Sequence, residues 1–176
     1  MTTLQIRPTT ITNEADLQGL CEVLLDCVTG GASVSFMLPM TRDKAERFWR
    51  EVLASAERNE RIVLVAEQDH CIVGTVQVIW AGPENQPHRG DVAKMLVHRQ
   101  ARGKGVGAAL LTAIEQAAAQ FGKTLLVLDT VTDSAAHRLY QRQGWQRVGE
   151  IPNYALWPDG RLCPTTVFYK QLSANN

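Results

Sequence analysis

The chain has 176 residues, of which 45% are hydrophobic and 20% charged, a composition that suits one globular domain over residues 1–176 and excludes a mainly disordered chain. Eighteen Lys and Arg balance eighteen Asp and Glu, leaving no basic excess to coat a phosphate backbone, so a general nucleic-acid binder is excluded. The longest mainly apolar run, Ala108 to Ala119, is broken by Thr112, Glu115 and Gln116 well short of the ~20 residues that cross a bilayer.

The first residues, Met1 to Arg7, lack the basic stretch, apolar core and small-residue cleavage site of a secretory signal, which predicts a cytoplasmic protein. Leu4 to Arg7 reads as a short strand. Asn13 can then cap a helix whose Leu17, Leu20, Cys21, Leu24 and Val28 recur at helical spacing, and Gly30-Gly31 ends it. Ala32 to Pro39 is a loop unusually apolar for solvent, equally suited to a lid over a ligand and to packing on the core. Thr41 can cap a second helix through Arg58, with Phe48, Trp49, Val52 and Ala56 on one side.

Ile62 to Glu67 and Cys71 to Trp80 are rich in β-branched residues and flank Gln68-Asp69-His70, the pattern of an antiparallel hairpin. A third strand, Asp91 to Val97, follows the turn from Gly82 to Pro87. The four cysteines, Cys21, Cys27, Cys71 and Cys163, show no metal or redox spacing and read as small core residues; the four histidines show no ligand spacing either, so no metal is expected.

Residues 98–107, His-Arg-Gln-Ala-Arg-Gly-Lys-Gly-Val-Gly, lead from that strand into a helix with Val106, Leu110, Ala113, Ile114 and Ala117 on one face. Three alternate glycines at a helix start let a phosphate approach unpaired N–H groups without a Cβ in the way, and Arg102 and Lys104 add charge. A tight turn needing only glycine flexibility is the plainer reading of any one of them. The P-loop pattern fails because Lys104 is followed by Gly105 and no earlier glycine has the spacing. Gly103-x-Gly105-x-x-Ala108, with Asp129 ending the strand Leu125 to Asp129, matches a loose dinucleotide fingerprint, but a hairpin precedes it and a polar bridge separates strand from glycines.

Arg102-Gly103-Lys104-Gly105-Val106-Gly107 after Met95-Leu96-Val97 resembles the [RQ]-x-x-G-x-[GA] loop of the GCN5-related N-acetyltransferase (GNAT) family. The likeness continues through Asp129, a helix with Ala136 and Leu139-Tyr140, and Gly144-Trp145 before another strand, covering residues 60–151. The resemblance implies an α/β fold, with a mixed, mostly antiparallel sheet of six or seven strands splayed at its middle and flanked by about four helices. It implies an acyltransferase that uses acetyl-CoA as cosubstrate and moves acetyl directly to an amine or hydroxyl of a small molecule.

The same resemblance implies roles for individual residues. Backbone groups of Met95, Leu96 and Val97 would run beside the pantetheine arm, and the N–H groups of Arg102, Gly103, Lys104, Gly105, Val106 and Gly107 would hold the pyrophosphate. Asp133 stands where many members carry a pantetheine-contacting asparagine, a departure for which Ser134 or His137 could substitute. Asp91 and Asp129 are the expected general-base pair, and Tyr140 the acid that protonates the departing thiolate. A strand-end ion pair with Arg89 is an equal reading of Asp91, and a buried core tyrosine is the plainer one of Tyr140.

Outside the cofactor loop, Gly30 to Met37, Leu128-Asp129-Thr130 and Pro158 to Leu162 resemble the branch of the family that acetylates the β-lactam toxin tabtoxin. Ser33, Phe36, Tyr154 and Trp157 are the expected walls of the acceptor pocket. A different acceptor, such as an amino acid, polyamine or protein N-terminus, and a non-catalytic acetyl-CoA sensor are the alternative readings. Phe36, Trp157 and the late strand Thr165 to Lys170 would equally serve a homodimer contact.

Overall fold

A computed structural model describes residues 3–172. The chain begins with β1 (Leu4–Pro8), α1 (Glu14–Thr29) and α2 (Arg42–Glu57), followed by three strands, β2 (Arg61–Gln68), β3 (Cys71–Trp80) and β4 (Arg89–Val97). A short 3₁₀ turn (Arg99–Ala101) and α3 (Val106–Gln120) lead to β5 (Leu125–Val131), α4 (Ala135–Arg142), β6 (Gln146–Leu156) and β7 (Leu162–Gln171). The seven strands form one sheet in the order β1-β2-β3-β4-β5-β7-β6, antiparallel throughout except for β4 beside β5. The fold is α/β with the mixed sheet and four helices expected.

The helix signals act as their chemistry requires. The Asn13 side chain accepts from the Asp16 N–H at 3.1 Å and Thr41 Oγ1 from the Lys44 N–H at 3.3 Å, each occupying one of the orphan donors of a first turn. Gly31 follows α1 with φ +89, a backbone conformation that stops a helix and suits a residue without Cβ. The hairpin between β2 and β3 turns on Asp69 and His70, both at positive φ, so two polar residues carry the turn without a glycine.

Both faces of the sheet are covered. One carries α1 and α2, which bury Leu17, Leu20, Leu24, Trp49 and Leu53 against Val63, Val65 and Leu96. The other carries α3 and α4, which bury Leu110, Leu111, Ile114 and Tyr140 against Val76, Val78, Leu126 and Phe168. Burial of each large side chain contributes about 1.5–3 kcal/mol. Three cysteines are buried as the composition suggests, but Cys71 is exposed because it opens β3 at the hairpin turn, beyond the cover of the helices.

One buried charge cluster fixes α1 to the sheet. Asp16 is 3% exposed and accepts from both terminal nitrogens of Arg7, at 2.6 and 2.7 Å, and from the Thr9 hydroxyl at 2.6 Å; Arg7 also donates to Glu67 on β2. Burial pushes the Asp16 carboxyl up, but the bonds from Arg7 and Thr9 outweigh it and hold it below the usual carboxylate range. A depressed folded-state value means stability that is present above the unfolded value of ~3.9 and lost as pH falls through the folded one. Asp16→Ala, which leaves Arg7 with Glu67 as its remaining carboxylate partner, is expected to cost about 2 kcal/mol in urea denaturation at pH 7. The difference from wild type should shrink below about pH 4.

Candidate active site

β4 and β5 pair over only three residues each, Arg89–Asp91 with Leu125–Val127, and part beyond them. Further along, β4 holds only β3 and β5 holds only β7, so their facing edges frame a cleft of about 640 Å³. The cleft is floored by the second half of β4 and closed at one end by the turn into α3, with α4 beside it.

At that turn Gly103 and Gly105 have φ +74 and +82, and a Cβ on either would meet nothing within 4 Å. They supply conformation and open approach. Gly107 differs, since a Cβ there would lie 3.0 Å from Leu139 of α4, so it permits helix packing. Among the described residues, no N–H from 103 to 108 reaches a backbone carbonyl at hydrogen-bonding geometry, the first bond of α3 being Ala109 to the Gly105 carbonyl. A row of free donors at a positive helix end is chemically fitted to a phosphate group. Lys104 is exposed on this turn and does not line the cleft.

Arg102 lines the cleft but folds back, its Nε donating to the Val97 carbonyl at 2.9 Å and a terminal nitrogen lying 3.7 Å from Cys27 Sγ. The turn is anchored from α1: Asp26 accepts from the Arg99 N–H at 2.9 Å and from its side chain, with His98 3.6 Å away. Burial raises the Asp26 carboxyl and the Arg99 bonds lower it, the net direction being down. Met95, Leu96 and Val97 all line the cleft, and of these Val97 spends its carbonyl on Arg102 and Cys27.

Asp129 and Tyr140 both face the cleft. The Asp129 carboxylate is exposed there, with Thr165 Oγ1 3.1 Å from its Oδ2. Tyr140 is 4% exposed, its ring packed on Trp145 and Phe168. Burial, reinforced by the Asp129 charge, pushes its phenol above the usual tyrosine range, so it remains a proton donor.

Asp91 does not join Asp129. It is the last residue of the β4–β5 pairing, ion-paired with Arg89 and outside the cleft, whereas Asp129 lies two residues past the fork. Ser134 reaches the cleft while capping α4 by accepting from the His137 N–H at 3.1 Å. His137 is turned inward instead, its Nδ1 accepting from the Asp133 N–H at 2.9 Å and its ring edge-on to Phe168. Asp133 therefore sits before the helix at φ +59 and is not its cap.

The apolar loop after α1 has both roles open to it. Ala32 to Ser35 line the cleft, while Phe36 packs edge-on against Phe48 at 5.0 Å, away from it. The loop is tied across the opening to the β6–β7 turn: Ser33 donates to the Leu156 carbonyl at 2.7 Å and the Leu38 N–H to the Pro158 carbonyl at 3.1 Å. Trp157 lines the cleft beneath this bridge; Tyr154 is 55% exposed and does not. Cys27, Lys94, Cys163 and Thr165 also line it without having been picked out by any sequence motif.

Residues 24–145 match the model of the Acetyltransferase (GNAT) family. An uncharacterized N-acetyltransferase in the hisH-hisA intergenic region of Azospirillum brasilense is 32% identical over 116 residues, 65% of this chain and 67% of that protein. N-acetyltransferase 8F1 of Rattus norvegicus is 28% identical over 134 residues, and the chain spans 59% of its length. In fold, the chain is similar to an N-acetyltransferase from Staphylococcus aureus Mu50, with TM-score 0.81, 20% identity and coverage of 97% of this chain and 99% of that one. It is also similar to a putative acetyltransferase from Salmonella typhimurium solved with its cofactor acetyl-CoA, with TM-score 0.79, 22% identity and coverage of 98% and 95%. No helix among the described residues is long and apolar enough to cross a membrane.

The distinct duties of the glycines give a measurable contrast. Gly105→Ala forces a Cβ into left-handed backbone and is expected to cost about 1 kcal/mol in urea denaturation. Gly107→Val should cost more by pressing on Leu139, and Leu139→Ala should recover part of that loss in the double variant.

Proposed function

The chain belongs to the GNAT acetyltransferase family, and on that premise we propose that it transfers acetyl from acetyl-CoA to the amine of a small molecule, an amino-acid-like or tabtoxin-like compound being the preferred acceptor class. The observation that carries this reading is that one cleft is lined by Gly103 and Gly105 to Ala108, whose backbone donors are free, by an exposed carboxylate at Asp129 and by a protonated phenol at Tyr140. The tabtoxin-like acceptor rests on the resemblance of residues 30–37, 128–130 and 158–162. Ser33 of the first segment donates to Leu156, two residues before the third, and Pro158 of the third accepts from Leu38, one residue after the first.

The diphosphate of acetyl-CoA would meet the N–H groups of the glycine turn, and its pantetheine would add along the open edge of β4 as an extra strand does. An alkylammonium has a pKa near ~10.4, so the acceptor must lose a proton before it can attack. Asp129, directly or through a water, takes that proton. The free amine then attacks the thioester carbon, the N–C bond forms as the C–S bond breaks, Tyr140 gives its O–H proton to the leaving sulfur, and the nitrogen's remaining excess proton passes through solvent to restore the Tyr140 phenol. Asp91 has no part in this scheme, since its ion pair with Arg89 and its place behind the fork account for it.

Release of free thiol from acetyl-CoA across a panel of small amines and amino acids, including a tabtoxin-like β-lactam, tests the reading. Asp129→Asn is expected to lower turnover by about 10²–10⁴-fold while leaving the Kd for CoA in place. Asp91→Asn should stay within a few-fold of wild type, which separates the two acids. Acceptor-independent silence together with intact CoA binding would count against catalysis and favour a sensor.

Tyr140→Phe should retain the fold and lower turnover about 10²-fold. Because the acid must be protonated and burial raises its pKa, any alkaline fall in wild-type turnover that Tyr140 causes should lie above the ordinary tyrosine range of ~10. A steady-state pH profile checks the sign.

A further inference from the structure

Three cationic side chains line the cleft, Lys94, Arg102 and Arg142, and acyl transfer gives no task to Lys94, the one carried on β4. The register of β4 against β3 slips between Thr75 and Gln77, placing an extra residue on β4, and Lys94 in that stretch has φ +50. A bulge of this kind re-aims a side chain, and left-handed backbone at a non-glycine residue costs energy that surrounding structure must sustain. Here it leaves the half-buried Lys94 lining the same cleft as Asp129.

The Lys94 ammonium is poorly partnered for its position. It lies 3.1 Å from Ser35 Oγ and 5.6 Å from the centre of the Phe48 ring, and no carboxylate of the described residues comes within ion-pair distance. An ammonium has three donors, of which Ser35 takes one. Ser35 is itself at φ +76 and exposed, so two strained residues that line the cleft, one on the sheet and one on the loop after α1, bring their polar groups together at its wall. Burial pulls the Lys94 ammonium below the usual lysine range, with Asp129 opposing it, so an incoming anion would meet a site that gains by being neutralised.

We propose that Lys94, assisted by Ser35, binds a carboxylate on the acceptor, making this an enzyme for compact zwitterions whose amine faces Asp129 and whose carboxylate faces Lys94. The inference rests on the acyltransferase reading of the cleft and adds to it a specificity residue. It accounts for a cation and a base sharing one small pocket without forming an ion pair. The alternative, Lys94 as a counter-charge that only tunes Asp129, predicts no discrimination between acceptors that differ in their carboxylate.

The test uses two bisubstrate conjugates, CoA joined through S–CH₂–CO to the nitrogen of glycine and to that of glycinamide, with calorimetric Kd values for each and for CoA alone. Glycine brings the carboxylate without a side chain, so the subsite is probed whatever the natural acceptor. For wild type the carboxylate conjugate is expected to bind about tenfold tighter than the carboxamide. Lys94→Met, or the near-isosteric Lys94→Gln, should bring the ratio close to one with CoA affinity unchanged, and Ser35→Ala should reduce it less. Equal affinities in wild type, or a preference that survives both lysine variants, would overturn the proposal. Failure of CoA itself to bind wild type would instead overturn the acyltransferase reading on which it stands.

Discussion

The cleft depends on two adjacent strands that start together and part. A backbone N–H or C=O removed from water must be paired, and a sheet normally meets that requirement by keeping its strands together. β4 and β5 do so for three residues and then diverge, leaving facing edges in the middle of the sheet. The rest of the molecule is arranged to permit this. β3 and β7 hold the outer edges of the two strands, α1 and α2 seal one face, and α3 and α4 seal the other. Parted strands in an otherwise closed sheet leave a gap that an extended ligand can fill with its own amides.

The chemistry is sorted along this fork. At its closed end Asp91 is paired with Arg89, outside the cleft, and past it Asp129 and Thr165 face the cleft. Anchors lie outside: Asp26 holds the glycine turn from α1, and Ser33 and Leu38 hold the opposite loop to the β6–β7 turn. Both connections join parts of the chain far apart in sequence.

Local signals in the sequence carry most of the fold. Asn13 and Thr41 cap helices, the β-branched runs pair as a hairpin, and the glycines after Val97 open α3, because each of these needs only a few neighbouring residues. What escapes is set by pairing distant in sequence. Asp91 and Asp129 both read as strand-end acids, and only the length of the β4–β5 contact decides that one is inside the cleft and the other behind it. Lys94 looks like an ordinary strand residue until the slipped register against β3 is known. His137 carries a helical spacing compatible with either face, and the decisive partner is the Asp133 N–H, released by a left-handed backbone that no composition announces. Tyr154 and Phe36 are aromatics in turn-rich or loop segments, and which aromatic faces inward depends on how those segments are tied across the cleft.

The order of strands also bears on how the chain is made. β7, the last strand among the described residues, inserts between β5 and β6 and gives Cys163 and Thr165 to the cleft. A ribosome delivers residues from the N-terminus, so α1 through β5 can collapse while β5 still has a bare edge. Only when residues 162–171 have cleared the exit tunnel can that edge be covered and β6 be joined to the sheet. A nascent chain stalled before that point would present an open strand edge to its neighbours, making the interval before β7 emerges the one in which a holdase chaperone has most to do.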